Sequence, residues 1–254
     1  MVNRAETDAW DAHWTAYAKT NALNPAQVHR QKLIFAALQL DAARSVRLLD
    51  LGSGSGEMAS AVLAARPDAE VVGLDLARTA VEIAERKVPA ARFFQADFAQ
   101  PMSLPAEFDG WATHAVCSEV LEHLDDPGAM LRNIRRYLAP GARLVITVPA
   151  GPMSAFDKHI GHRRHFDRHA LRTLVESAGF RDVAVRGAGF PFFNLYRLAV
   201  VARGDALVKD AAAQEDGADL PLLARATIRA FSLLFQLNVP QVDLGWQLVA
   251  VVTP

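Results

Sequence analysis

The stretch Leu48-Leu49-Asp50-Leu51-Gly52-Ser53-Gly54-Ser55-Gly56 runs from apolar residues straight into a glycine-rich turn, and helical periodicity follows from Met58 to Arg66. A buried strand that ends in glycines and re-emerges as a helix is the opening unit of an open α/β sheet. The glycines let the backbone turn tightly and approach a ligand without side-chain clash. A glycine turn alone also suits plain packing, so the flanking segments decide between the two.

Working outward, short runs rich in β-branched residues recur at Glu70–Asp75, Arg92–Ala96, Thr113–Ser118 and Arg143–Val148. Helical patterns, Ala77–Lys87 and Gly128–Leu138, lie between them. Such alternation predicts βαβ units and a parallel sheet. Further on, Ala170–Ala178 reads as a helix stopped at Gly179, with a strand at Arg181–Arg186. The alternation then lapses. Two mainly helical stretches, Phe192–Lys209 and Leu220–Leu237, are joined by the polar segment Asp210–Asp219, and Trp246–Val252 reads as a final strand. The expected fold is therefore a doubly wound, Rossmann-like α/β sheet with helices on both faces. It is mostly parallel, with an antiparallel last strand and a helical insertion before it. The expected organisation is an N-terminal helical segment (1–45, broken at Asn24-Pro25), a core (46–189), a helical insertion or cap (190–244) and the core's last strand (245–254).

Composition narrows the function classes. The 254 residues are 51% apolar and 22% charged with a formal net charge of −1, which gives no electrostatic sheath for nucleic acid. The single cysteine, Cys117, excludes an internal disulfide and a cysteine-rich zinc site. Met1–Trp14 lacks the apolar core of a signal peptide, and no run is long and apolar enough to span a bilayer, so a cytoplasmic location is expected.

Ligands of such sheets bind at the carboxyl ends of the strands. Asp75 closes the second strand, where a carboxylate can accept hydrogen bonds from a ribose diol. Gln95-Ala96-Asp97-Phe98 ends the third strand, offering a carboxylate and a ring where an adenine would lie. Three strand ends with this chemistry point to a nucleoside site. A dinucleotide fingerprint wants Gly or Ala as its sixth residue, and Glu57 stands there.

With Asp50 two residues before the first glycine, the segment resembles the first motif of class I S-adenosylmethionine (SAM) dependent methyltransferases, and the other motifs follow in order from Asn24 to Phe180. The resemblance implies SAM as cofactor. Gly52 and Gly54 would hold its methionine part and Asp50 would shape the loop. Asp75 would bind the ribose, Leu76 and Phe98 would flank the adenine, Asp97 would meet its amino group, and Cys117 and Ser118 would pass near the sulfonium. Asn24-Pro25-Ala26-Gln27-Val28-His29-Arg30 is similar to the segment that precedes the sheet in ubiquinone-biosynthesis O-methyltransferases, which implies that Arg30 pairs with the SAM carboxylate; a solvated helix arginine is the alternative.

Past the fourth strand comes Glu119-Val120-Leu121-Glu122-His123. A helical turn starting at Glu119 would put Glu122 and His123 on its face. The stretch resembles the ExxEH segment of metal-using O-methyltransferases acting in ubiquinone biosynthesis and on the 2′-hydroxyl of small RNAs, where a later histidine joins; His162 stands in a similar context here. The implied catalytic set is Glu119, His123 and His162, and the implied ligand set for magnesium, manganese or zinc is Glu119, Glu122, His123 and His162. A histidine base without metal is the alternative. Trp10, Trp14 and Tyr17 share one helical face, as a packing stripe or a lid over SAM.

The insertion matches none of this, and its phenylalanines suit a buried layer, a homodimer contact or a cap over a hydrophobic acceptor. The expected activity is O-methylation of a small or hydrophobic acceptor. A SAM-binding module without catalysis and an NAD-linked oxidoreductase are the rival classes.

Overall fold

The computed structural model describes residues 10–11, 14, 24–100, 103–214, 222–239 and 242–254. Tyr17 and part of the polar segment 210–219 lie outside the described residues.

The first long helix, α1 (Pro25–Leu38), starts where Asn24 Oδ1 accepts the Ala26 amide and Pro25 fills a position with no intrahelical hydrogen bond to lose. The chain then alternates: β1 (Arg47–Leu51), α2 (Glu57–Ala65), β2 (Glu70–Asp75), α3 (Arg78–Lys87), β3 (Arg92–Gln95), β4 (Ala112–Ser118), α4 (Pro127–Ile134) and β5 (Leu138–Pro149). A short helix, α5 (Ala155–His159), precedes α6 (Arg168–Ser177) and β6 (Arg181–Ala188). The insertion holds α7 (Phe192–Gln214), kinked at Gly204, and α8 (Leu222–Leu234); β7 (Gln247–Thr253) follows.

The seven strands form one sheet in the order β3-β2-β1-β4-β5-β7-β6. The first five pair in parallel, and β7 runs antiparallel to both β5 and β6. Successive strand residues face opposite sides. Leu48, Val71, Val116 and Val145 therefore meet Ile34 and Leu38 of α1, Val62 of α2 and Val81 of α3. Leu49, Val72, Ala115 and Ile146 meet Met130 and Leu131 of α4 and Leu171 and Val175 of α6. The doubly wound architecture with an antiparallel last strand is as expected.

Several boundaries differ from the sequence reading. β5 begins at Leu138, five residues early, because Leu138 pairs with Ala112 of β4 ahead of the register shift that brings Arg143 opposite His114. α7 continues past Lys209 to Gln214. Helix α5 was not expected; its five residues are too few to show periodicity, and what secures it is a capping box in which Ser154 and Asp157 satisfy each other's backbone amides.

Candidate active site

The strand order reverses between β1 and β4, and both candidate ligand loops leave the carboxyl ends of these neighbours. After β1, Gly52 and Gly54 take positive φ values of 77° and 52°. A Cβ on Gly52 would lie 2.4 Å from the Val120 side chain, and one on Gly54 would lie 2.4 Å from the Trp14 ring. Asp75 Oδ2 accepts the Gly54 amide at 2.8 Å and its Oδ1 accepts the Ala77 amide at 2.9 Å. The carboxylate at the end of β2 thus braces the glycine loop itself.

Acidity concentrates here. Burial, with Asp75 and Glu57 nearby, lifts Asp50 to about 7, and burial lifts Asp75 to about 6 against the backbone amides of Ala77, Gly54 and Leu76. Among the described residues, Asp50 Oδ2 and Ser53 Oγ are buried without a hydrogen-bond partner. Unsatisfied acceptors beside a side-chain-free turn fit a ligand that brings N–H donors and positive charge, as the ammonium and sulfonium groups of SAM do. Leu76 is half-buried beyond Asp75, Phe98 is buried in the core, and Asp97 caps its own turn by accepting the Ala99 amide. Cys117 is fully buried between the sheet and α4, and burial pushes its thiol well above the usual range.

The N-terminal segment reaches both loops. The Trp14 ring lies against Gly54, Asp11 Oδ1 accepts the Thr79 amide, and the Trp10 ring meets His123 edge-on at 4.9 Å.

After β4 the polar cluster divides. Glu119 has a φ of 56° and stands outside the helical turn, which spans Leu121–His123. Its carboxylate pairs with Arg30 at 3.3 Å and accepts from Gln247 Nε2 at 2.9 Å and Thr147 Oγ1 at 3.3 Å. Arg30, expected on the SAM carboxylate, is placed against Glu119 and Gln27. Glu122, His123 and His162 do come together: their ligand atoms lie within 4.8 Å of one another and the two rings meet edge to face at 4.8 Å. Glu122 is fully buried, and among the described residues neither of its oxygens has a hydrogen-bond partner. Burial, reinforced by Glu119, raises its carboxyl well above the usual range. Burial and the His123 ring lower His162 to about 3. One buried carboxyl group facing two imidazoles is a donor set suited to a divalent cation.

Three contributors were not anticipated. Asp157, on α5, is 1% exposed and receives both Arg197 guanidinium nitrogens at 3.0 and 2.7 Å, plus the amide and hydroxyl of Ser154. Burial alone would raise its carboxyl; Arg197 overrides that and holds it at about 2. His165 hydrogen-bonds His162 and the Gly151 carbonyl. The Gly161–Arg168 run shows its histidines in sequence, but nothing local ties Arg197 to Asp157.

Beside this cluster the Trp246 ring lies against Gly151 and forms one wall of an apolar cavity of about 380 Å³. Phe190, Pro191, Phe192, Leu195 and Leu198 line the rest, with Leu195 and Leu198 about half exposed. Among the described residues no helix is long and apolar enough to cross a membrane.

A nucleoside-type loop beside a polar cluster, on a sheet of this order, fits a Rossmann-like methyltransferase domain. The family described as a methyltransferase domain matches residues 26–185, and the chain belongs to it. Among its relatives is a ubiquinone biosynthesis O-methyltransferase of Xanthomonas oryzae pv. oryzae, 33% identical over 149 residues, 58% of this chain and 58% of that one. Another is a demethylmenaquinone methyltransferase of Thermus thermophilus, 35% identical over 127 residues, 48% of this chain and 55% of that one. The matched part thus spans little more than half the length of these relatives. Among solved structures, phosphoethanolamine N-methyltransferase 2 of Haemonchus contortus in complex with SAM superposes with a TM-score of 0.62 at 17% identity, covering 96% of this chain and 57% of that one. This last likeness shows the shared fold. The oxidoreductase reading is set aside.

Proposed function

We propose that the protein transfers the methyl group of SAM to a hydroxyl of a small, largely apolar acceptor, whose proton is removed at the Glu122–His123–His162 cluster with a divalent ion bound there. The observation that carries this is the Glu122 carboxylate, buried and without a hydrogen-bond partner among the described residues, facing His162 Nε2 at 4.0 Å. Such a group is costly to keep unless a cation or a proton-bearing ligand completes it. The names of the two relatives support a quinol-like acceptor.

SAM supplies an electrophilic methyl group transferred by direct displacement, and a divalent ion makes a bound hydroxyl easier to deprotonate. The protein's part is orientation and proton handling. The Gly52–Gly54 turn and Asp75 seat the cofactor, with Leu76, Asp97 and Phe98 on the nucleoside side. The cavity walled by Trp246 holds the acceptor's apolar body, and residues 190–244 act as its cap. Glu122, His123 and His162 would hold the ion, and with no ion bound the histidine lone pairs would take the proton. Glu119, locked to Arg30 and Gln247, acts on the trio through its charge.

The test is methyl transfer to a hydroquinone or catechol bearing an apolar tail, with and without a chelator. Turnover should be lost on chelation and restored by magnesium, manganese or zinc, and Glu122→Gln should lower it at least about tenfold. Full turnover in Glu122→Gln would remove the cluster from the reaction; indifference to the chelator alone would leave the histidines as bases without metal.

A further inference from the structure

The geometry points to His165 as a positioning residue: it fixes which nitrogen of His162 carries the proton, so that His162 Nε2 faces Glu122 as a bare lone pair. This deepens the proposed function, since it takes His162 as the working base or ligand.

The chain of donors begins at the backbone. His165 Nδ1 lies 3.0 Å from the Gly151 carbonyl oxygen, which can only accept, so Nδ1 bears the hydrogen. A neutral imidazole has one N–H, so His165 Nε2 is left as an acceptor. At 3.2 Å it faces His162 Nδ1, which must therefore donate, while Asp157 Oδ2 stands off at 3.8 Å. That uses the only proton of His162. Its Nε2 is left unprotonated, 4.0 Å from Glu122 Oε1 and beyond hydrogen-bond reach.

Burial disfavours the charged form of both rings. The opposite tautomer of His162 would set two nitrogen lone pairs against each other across 3.2 Å. Asp157 cannot replace His165 in this role. It lies 4.0 Å from His162 Nδ1, and its oxygens are already taken by Arg197 and Ser154. Histidines that bind metals usually donate their far N–H to a carboxylate, a backbone carbonyl or water. Here a second imidazole, itself anchored on a carbonyl, stands in that place.

The proton's position is read directly by long-range ¹H–¹⁵N correlation spectra of the metal-free, full-length protein labelled at histidine. The expected result is His162 protonated at Nδ1 and bare at Nε2. In His165→Leu, which removes the acceptor, His162 should shift towards the Nε2–H form. In His165→Gln, whose side-chain oxygen can stand where Nε2 does, the wild-type pattern should persist. Cobalt(II) titration should show affinity about 10- to 100-fold weaker in His165→Leu and near wild type in His165→Gln. Wild-type His162 protonated at Nε2, or an unchanged pattern in His165→Leu, overturns the inference. If cobalt binds none of the proteins while the proton moves as stated, the metal reading fails and the positioning role of His165 stands.

Discussion

Acid should loosen the insertion from the core through one residue, His29. Its ring, on α1, lies between Phe193 of α7 at 5.6 Å and Phe235, just past α8, at 5.4 Å, and its Nε2 is buried without a hydrogen-bond partner among the described residues. Burial, with Arg30 and Lys32 adding positive charge, lowers it from the ordinary 6.5 to about 4. The folded protein thus binds this proton more weakly than the unfolded chain does. The stability from a neutral His29 is complete above 6.5 and drains away as the pH falls towards 4. Linkage with those two values gives a loss of about 2 kcal/mol between pH 7 and pH 5 from this group alone. Other buried groups titrate over the same range, so the comparison is between wild type and His29→Leu, each unfolded in urea at both pH values. The wild type should lose about 2 kcal/mol more than the variant. Equal losses would refute the reasoning and place the ring's proton elsewhere.

Two further outcomes follow from buried charges. Asp75→Ala, which frees the Gly54 and Ala77 amides, should weaken SAM binding by about 1–3 kcal/mol in calorimetry, and an unchanged affinity would remove Asp75 from the cofactor loop. Arg197→Met strands the Asp157 carboxylate and should cost about 3–5 kcal/mol in denaturant unfolding. Adding Asp157→Asn should recover much of that, and no recovery would mean that the lost packing of the arginine, rather than the stranded charge, was responsible.

The sheet was legible because its signals are local. Alternating faces, the glycine stop at Gly179 and the break at Asn24-Pro25 each act within a few residues. The histidines and carboxylates were legible as a group for a similar reason: two loops leaving one edge of a parallel sheet must meet. Their division was not. Glu119 reads as one more member of a helical turn, yet its left-handed backbone turns its side chain towards Arg30 and Gln247, which approach from α1 and β7. Asp157 and Arg197 are ordinary surface residue types in isolation; only the docking of α7 on α5 makes them a buried pair. Of the insertion's phenylalanines, which in sequence suit a buried layer as well as a cap, Phe193 is packed against Ala26 and Phe235, while Phe192 lines the cavity with Leu195.

Ala188 and Gln247 are register partners across β6 and β7, so the helical excursion between these strands leaves and re-enters the sheet at neighbouring points. Its ends are held together whatever lies between them. For a flexible connection, doubling the length costs only about 0.6 kcal/mol in closure entropy. The chain can thus lengthen, shorten or exchange this stretch without disturbing the strands that carry the glycine loop. The wall of the apolar cavity is free to vary on a scaffold whose cofactor edge stays constant.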